Sequence, residues 1–252
     1  MKTNTTLRSF LARAGGRFVE VWAPLAQGRW SVSGTNRRAK ADDLVVMIED
    51  HFRQASHVSH PCRPTLTLAL SILGQRPAII VETGSSAWGT NSSLLFDAYV
   101  NSFGGRFETV DIRLQPSLTL RGQCTKRTRL HCQDSVAFLR TWADRQHTNL
   151  DLVYLDSWDV DWADPIPSAM HGLAEFLAIE GQLRPGSLLL VDDTPADASV
   201  MRRVQPRHVG AFEQGMAKHG FPPGKGALIK LLLEGTGRGK LLAHDYQALW
   251  QF

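Results

Sequence analysis

Cysteine is scarce in this 252-residue chain: Cys62, Cys124 and Cys132 stand at irregular spacing with no CxxC pair. That excludes a disulfide framework and a zinc knuckle, and fits a reducing compartment. No apolar run approaches the ~20 residues that a membrane-spanning helix needs. The start, Met1-Lys2-Thr3-Asn4, lacks the apolar core of a signal peptide. The expectation is a soluble cytoplasmic protein with no membrane partner. Concentrated charge is missing too. The net charge of +4 is spread over short groups such as Arg37-Arg38, Lys126-Arg127 and Arg202-Arg203, whereas a nucleic-acid surface wants a clustered stripe. No nucleic-acid partner is expected. Internal repeats, low-complexity tracts and the dinucleotide fingerprint GxGxxG are all absent.

What is present is an ordinary globular composition, 43% hydrophobic and 21% charged, in a chain long enough to bury a large core. Residues 1 to about 40 show no sustained period apart from the apolar patch Phe18 to Trp22 and read as an irregular arm. From Asp42, the residues Leu44, Val45, Met47, Ile48 and Phe52 recur at helical spacing. A second helix runs from Thr65 to Leu73, entered by Pro64 and stopped by Gly74 and Pro77.

From Ala78 onward, strands and helices alternate. Strands are read at Ala78 to Glu82, Arg106 to Ile112, Thr128 to Cys132, Leu150 to Leu155 and Ser187 to Val191. Helices are read at Ser92 to Val100, Asp134 to Arg145, about Pro167 to Ile179 and around Val204 to His219. Such alternation predicts a Rossmann-like α/β fold: a mostly parallel seven-stranded sheet with helices on both faces. Residues 1–77 form an N-terminal extension or cap, and residues 78–252 the sheet domain. At the end, Ala227 to Glu234 and Lys240 to Trp250 read as two strands of a hairpin joined by Gly235-Thr236-Gly237-Arg238-Gly239, which makes one terminal strand antiparallel.

Ligands bind an open parallel sheet outside the carboxyl ends of its strands, so the residues at those ends carry the functional reading. The first strand runs into Glu82-Thr83-Gly84-Ser85-Ser86, with Ser86 where a dinucleotide fingerprint has its second glycine. Gly84 allows a tight turn and close approach of a ligand. Thr90, Asn91 or Ser92 can cap the next helix and aim its free N–H groups outward. The second strand ends in Asp111, a carboxylate placed to accept both ribose hydroxyls of an adenosine group. Asp134, beside Ser135, suits a helix cap and can also reach an adenine amino group. The next two strands release Asp156 and the pair Asp192-Asp193 at one edge. Their mutual repulsion is the kind that a hard divalent cation such as Mg2+, Mn2+ or Ca2+ relieves, although either aspartate of the pair could simply cap a loop.

In this order the residues resemble the class I S-adenosylmethionine (SAM) dependent methyltransferase family, over about residues 78 to 252. Glu82-x-Gly84 resembles its first motif, Asp111 its ribose acid, Asp134 its adenine-side motif and the terminal hairpin its reversed last strand. Leu155-Asp156-Ser157, His171 to Glu175 and Pro185 to Thr194 are similar to the metal-dependent O-methyltransferases of natural-product sugars. That resemblance implies Asp156, Asp192 and Asp193 as metal ligands and a small hydroxylated acceptor. Glu82, Gly84, Ser85, Ser86, Asn91, Ser92, Asp111, Asp134, Ser135 and Asp156 are implied as the SAM site. The chain departs from the branch at Asp159, where a histidine often serves as general base. Asp159 and His171 are therefore the candidate bases, alongside Asp156 at the metal. The expected reaction is in-line methyl transfer to a hydroxyl. The alternatives are a metal-independent methyltransferase, a noncatalytic SAM-binding protein and, disfavoured by the missing fingerprint, a nicotinamide-dependent dehydrogenase. The N-terminal residues, with Trp22, Trp30 and the His57/His60 cluster, are expected to give a lid, a substrate wall or a homo-oligomer contact.

Overall fold

A computed structural model describes residues 42–86, 89–145 and 150–252. The arm, with Trp22 and Trp30, lies outside the described residues. The apolar runs form seven strands in one sheet: β1 (Ala78–Thr83), β2 (Gly105–Asp111), β3 (Thr128–Cys132), β4 (Leu152–Leu155), β5 (Leu188–Val191), β6 (Lys240–His244) and β7 (Ala248–Gln251). Their spatial order is β3-β2-β1-β4-β5-β7-β6. All pairs from β3 to β5 are parallel, and β7 runs antiparallel between β5 and β6. The chain thus builds outward from β1 to β3, then returns to place β4 on the other side of β1. That reversal opens a crevice at the carboxyl ends of β1 and β4.

Alternate residues of each strand face opposite layers of helices. Ile80, Phe107, Leu152, Tyr154, Leu188 and Leu190 pack with Leu44, Ile48 and Phe52 of α1 (Asp42–Gln54), Leu66 and Leu70 of α2 (Arg63–Leu73), α3 (Ser92–Phe103), and Phe212. Val81, Val110, Val153, Leu155, Leu189 and Val191 pack on the other face against α5 (Ser135–Arg145), α6 (Ile166–Ile179) and α9 (Ala227–Thr236). Helix α5 begins as expected, with Asp134 Oδ1 accepting the Ala137 N–H at 2.8 Å. At α3, by contrast, the side chains of Asn91 and Ser92 serve other partners, and the N-cap residue Asn91 makes no capping bond.

Three readings of the sequence are corrected. Residues 227–236 form α9 rather than a strand. Ile229 and Leu233 lie four apart on its buried face, while Lys230 pairs with Glu234 at 2.6 Å on the other. The Gly-rich stretch ends that helix, with Gly237 in the left-handed conformation. The terminal hairpin therefore lies wholly within β6 and β7, and its turn is Asp245-Tyr246-Gln247. A short α4 (Leu114–Arg121), unread in the sequence, buries only Ser117 and Leu120. The helix expected around Val204 to His219 is instead α7 (Ala198–Val204), capped by Asp197, and α8 (Val209–His219), with Pro206 between them.

Candidate functional site

Strand register brings the expected residues to one edge. Thr83 is level with both Val110 and Leu155, and Leu155 with Val191. Gly84, Asp111, Asp156 and Asp192 therefore leave the sheet side by side. Gly84 has φ +82°, and a Cβ there would collide with the Asp156 carbonyl oxygen. The glycine is thus needed to bring the β1 turn against the end of β4. Glu82 forms the buried floor beneath this turn. It accepts hydrogen bonds from Ser92 Oγ at 2.6 Å, Thr109 Oγ1 at 2.7 Å and Ser93 Oγ. Burial outweighs those donors and pushes its pKa up to about 7. Ser85 Oγ bonds Thr109 Oγ1, and the Ser86 N–H donates to Ser93 Oγ at 2.9 Å. Glu82, Ser92 and Ser93 therefore fix the shape of the turn from below, while Gly84, Ser85 and Ser86 line the space above it.

Asp111 is 4% exposed, and its carboxylate is held by a neighbour. It accepts from the Arg113 N–H at 2.7 Å and from Arg113 Nε at 3.0 Å, and pairs with Nη2 at 2.9 Å. Ser135 sits behind this edge, where its hydroxyl meets His171 Nε2 at 3.0 Å. His171 also meets Ser157 Oγ at 3.1 Å and Glu175 Oε1 at 3.4 Å, and lies under the Trp158 ring. The hydrogen bond and charge of Glu175 raise its pKa.

Asp156, Asp192 and Asp193 converge, each offering a carboxylate oxygen within 4.8 Å of the others. This donor set is hard oxygen, the kind that binds Mg2+. Its oxygens, however, already have partners. Lys225 Nζ lies 2.6 Å from Asp156 Oδ1 and 3.4 Å from Asp193 Oδ2. Tyr154 Oη donates to Asp156 Oδ2 at 3.2 Å, and Tyr246 Oη donates to Asp193 Oδ1. Gln247 Nε2 at 2.9 Å and the Cys62 thiol at 3.4 Å both donate to Asp192 Oδ1. As arranged, the cluster does not accommodate a divalent ion beside that ammonium.

Burial, reinforced by Asp192, pushes Asp156 well above the usual carboxylate range. Burial also pushes Asp192 up, but the Lys225 charge and hydrogen bonds from Asp156 and Gln247 outweigh it and hold that carboxyl below its usual value. For Lys225, burial opposes the charge, yet the three aspartates overcome it and keep the amine protonated.

Beyond the cluster opens a cleft of about 1200 Å3, walled by Val58 to Pro64, Gly84 to Ser86, Arg113, Asp156, Asp159 to Ala163, Asp192, Asp193 and Tyr246. Asp159 stands exposed on its wall. Glu82, Asn91, Ser92, Asp111, Asp134, Ser135 and His171 do not line it. Sequence reasoning missed Lys225, Tyr246, Gln247 and Arg113, and assigned no role in this cluster to Cys62. The only forewarning for Lys225 is its setting between Gly224 and Gly226.

No protein-family model matches the sequence, and no curated protein matches it. Solved structures do. The MycE methyltransferase of the mycinamycin biosynthetic pathway, determined with Mg, S-adenosylhomocysteine (SAH) and mycinamycin VI, superposes with a TM-score of 0.55 at 18% identity over 83% of this chain. The fold is a methyltransferase fold. The chain spans 54% of the length of that MycE chain. Also similar, at lower TM-scores, are a Podospora anserina methyltransferase bound to SAH (0.49, 16% identity, 86% of this chain and 90% of that one) and an O-methyltransferase from Bacillus cereus with SAH (0.47, 15% identity, 85% and 92%).

Proposed function

We propose that this chain is a SAM-dependent O-methyltransferase that methylates a hydroxyl of a small acceptor, a sugar or other natural product. The observation that carries the reading is the level set of strand ends at the β1/β4 reversal: the Gly84 turn and the buried Asp111 leave the sheet side by side, and the turn, with Asp156 and Asp192, lines a large cleft. The SAM nucleoside is assigned to the Gly84–Ser86 turn and Asp111, with the adenine toward Asp134 and Ser135. The acceptor is assigned to the part of the cleft beside the aspartate cluster. Residues 58–64, which line the cleft, support a substrate-wall role for the segment of residues 1–77.

The acceptor oxygen attacks the sulfonium methyl in line. A C–O bond forms as the C–S bond breaks, its electron pair stays on sulfur, and SAH leaves. Asp159, exposed on the cleft wall, receives the hydroxyl proton. His171 is committed to Ser135, Ser157 and Glu175, so we assign it to shaping this region rather than to proton transfer. Most of the acceleration would come from orientation, because the methyl donor is already activated. No step here is routed through a metal, because Lys225 already occupies the carboxylates.

Among the described residues no helix is long and apolar enough to cross a membrane, and a cytoplasmic site of action goes with the reading.

Calorimetry tests the proposal. SAH should bind and NAD should not. Asp111→Asn should weaken SAH binding about tenfold to a hundredfold, the worth of a charged acceptor's hydrogen bonds. Binding of NAD alone would overturn it. The absence of a histidine at position 159 keeps a second reading in view, a SAM-binding protein without turnover. Transfer of the SAM methyl to any hydroxylated acceptor would exclude that.

A further inference from the structure

The Lys225 ammonium is built into the cluster, not draped over it. Its side chain is 2% exposed, as enclosed as a core leucine. Its backbone hangs on the residues whose charge it meets: the Lys225 N–H donates to the Asp193 carbonyl at 3.0 Å, and the Gly226 N–H to Thr194 Oγ1 at 2.9 Å. Thr194 Oγ1 in turn donates to the Asp192 carbonyl at 2.7 Å. Three glycines make this approach feasible. A Cβ on Gly224 would strike the Asp193 carbonyl, one on Gly226 would lie 2.6 Å from Thr194 Oγ1, and one on Gly172 of α6 would lie 2.6 Å from the Lys225 carbonyl. The loop is clamped between β5 and α6 with its one long side chain directed at the carboxylates. For a divalent ion to replace the ammonium, this fully enclosed side chain would have to leave a place that its own backbone fixes.

We propose that the resident cation of the Asp156/Asp192/Asp193 cluster is the ammonium of Lys225, which acts as a positioning residue in the place of a divalent metal. The proposal deepens the methyltransferase reading and rests on it for its catalytic consequence. Lys225 is absent from the cleft wall whereas the three aspartates line it. It therefore holds the carboxylates from behind, and they orient the acceptor by accepting its hydrogen bonds.

The test uses the full chain and Mn2+ alone, followed by electron paramagnetic resonance and calorimetry. Wild type is expected to take up no Mn2+ at millimolar concentration. Lys225→Met, which removes the ammonium but keeps an apolar stem, is expected to bind Mn2+ at least about tenfold more tightly than wild type and to gain melting temperature from it. Stoichiometric Mn2+ uptake by wild type, abolished by Asp192→Asn, overturns the proposal. So does a folded Lys225→Met protein that neither binds Mn2+ nor is stabilised by it. If Lys225→Met does not fold, uptake or its absence in wild type still decides. SAH calorimetry on the same wild-type sample separates the two claims. SAH binding together with Mn2+ uptake overturns only the lysine assignment, and failure to bind SAH overturns the nucleotide reading whatever the metal result.

Discussion

At the scale of the residue, Arg113 competes with the ligand proposed for Asp111. Its guanidinium and its own N–H cover both carboxylate oxygens, yet the side chain is 68% exposed. With its cationic partner open to solvent, the pair is weakened toward the roughly 1 kcal/mol of surface ion pairs, although Asp111 itself is buried. Arg113 therefore shields the carboxylate without locking it. Arg113→Ala should tighten SAH binding by up to about fivefold, read by calorimetry. A weaker complex would mean that the guanidinium contacts the ligand instead.

Glu82 gives a pH-dependent prediction. Its folded pKa of about 7 lies above the ordinary 4.5. The unfolded chain therefore releases this proton first as pH rises, and the native state loses stability progressively from about pH 4.5 until it ionises too. Relative to Glu82→Gln, wild type should lose about 2.5 kcal/mol of unfolding free energy between about pH 5 and pH 8. Urea unfolding of both proteins at the two pH values measures it, and parallel curves would contradict the burial of a titrating Glu82.

At the scale of the element, the central strands were legible because a strand covered on both faces is an unbroken apolar run. Leu152 to Leu155 and Leu188 to Val191 are such runs, and each releases a carboxylate on leaving the sheet. That is why Asp156, Asp192 and Asp193 could be named together. The misreading of Ala227 to Glu234 has the same root: a short apolar run fits a buried strand and a buried helix equally. What distinguishes them here is the i, i+4 pair Lys230/Glu234 beside Ile229/Leu233. Helix α4 left no signal because only Ser117 and Leu120 are buried while Leu114 and Leu118 face solvent, so its apolar residues do not mark its buried face. Lys225, Tyr246 and Gln247 were illegible as site residues because they reach the cluster from loops, where no period marks which side chain turns inward.

At the scale of the whole molecule, the helices that precede β1 are stitched to the cleft. Phe52, Leu66 and Leu70 belong to the core under the sheet. His51 Nε2 meets the Thr90 carbonyl at 2.8 Å, and Ser56 Oγ donates to the Gly89 carbonyl at 2.5 Å. Cys62, at the head of α2, reaches Asp192 across 130 residues of sequence. That thiol is 1% exposed and pushed up in pKa by burial, whereas Cys132 is exposed. The chain consequently carries its own chemical clock. A neutral maleimide should label Cys132 at once and Cys62, which lines the cleft yet is 1% exposed, only when the head of α2 opens, so the lag between them, followed by mass spectrometry, times that opening. If opening must release the bound nucleoside, SAH at about a hundred times its Kd should slow the clock by up to about a hundredfold. An unchanged rate would show that α2 breathes independently of the ligand.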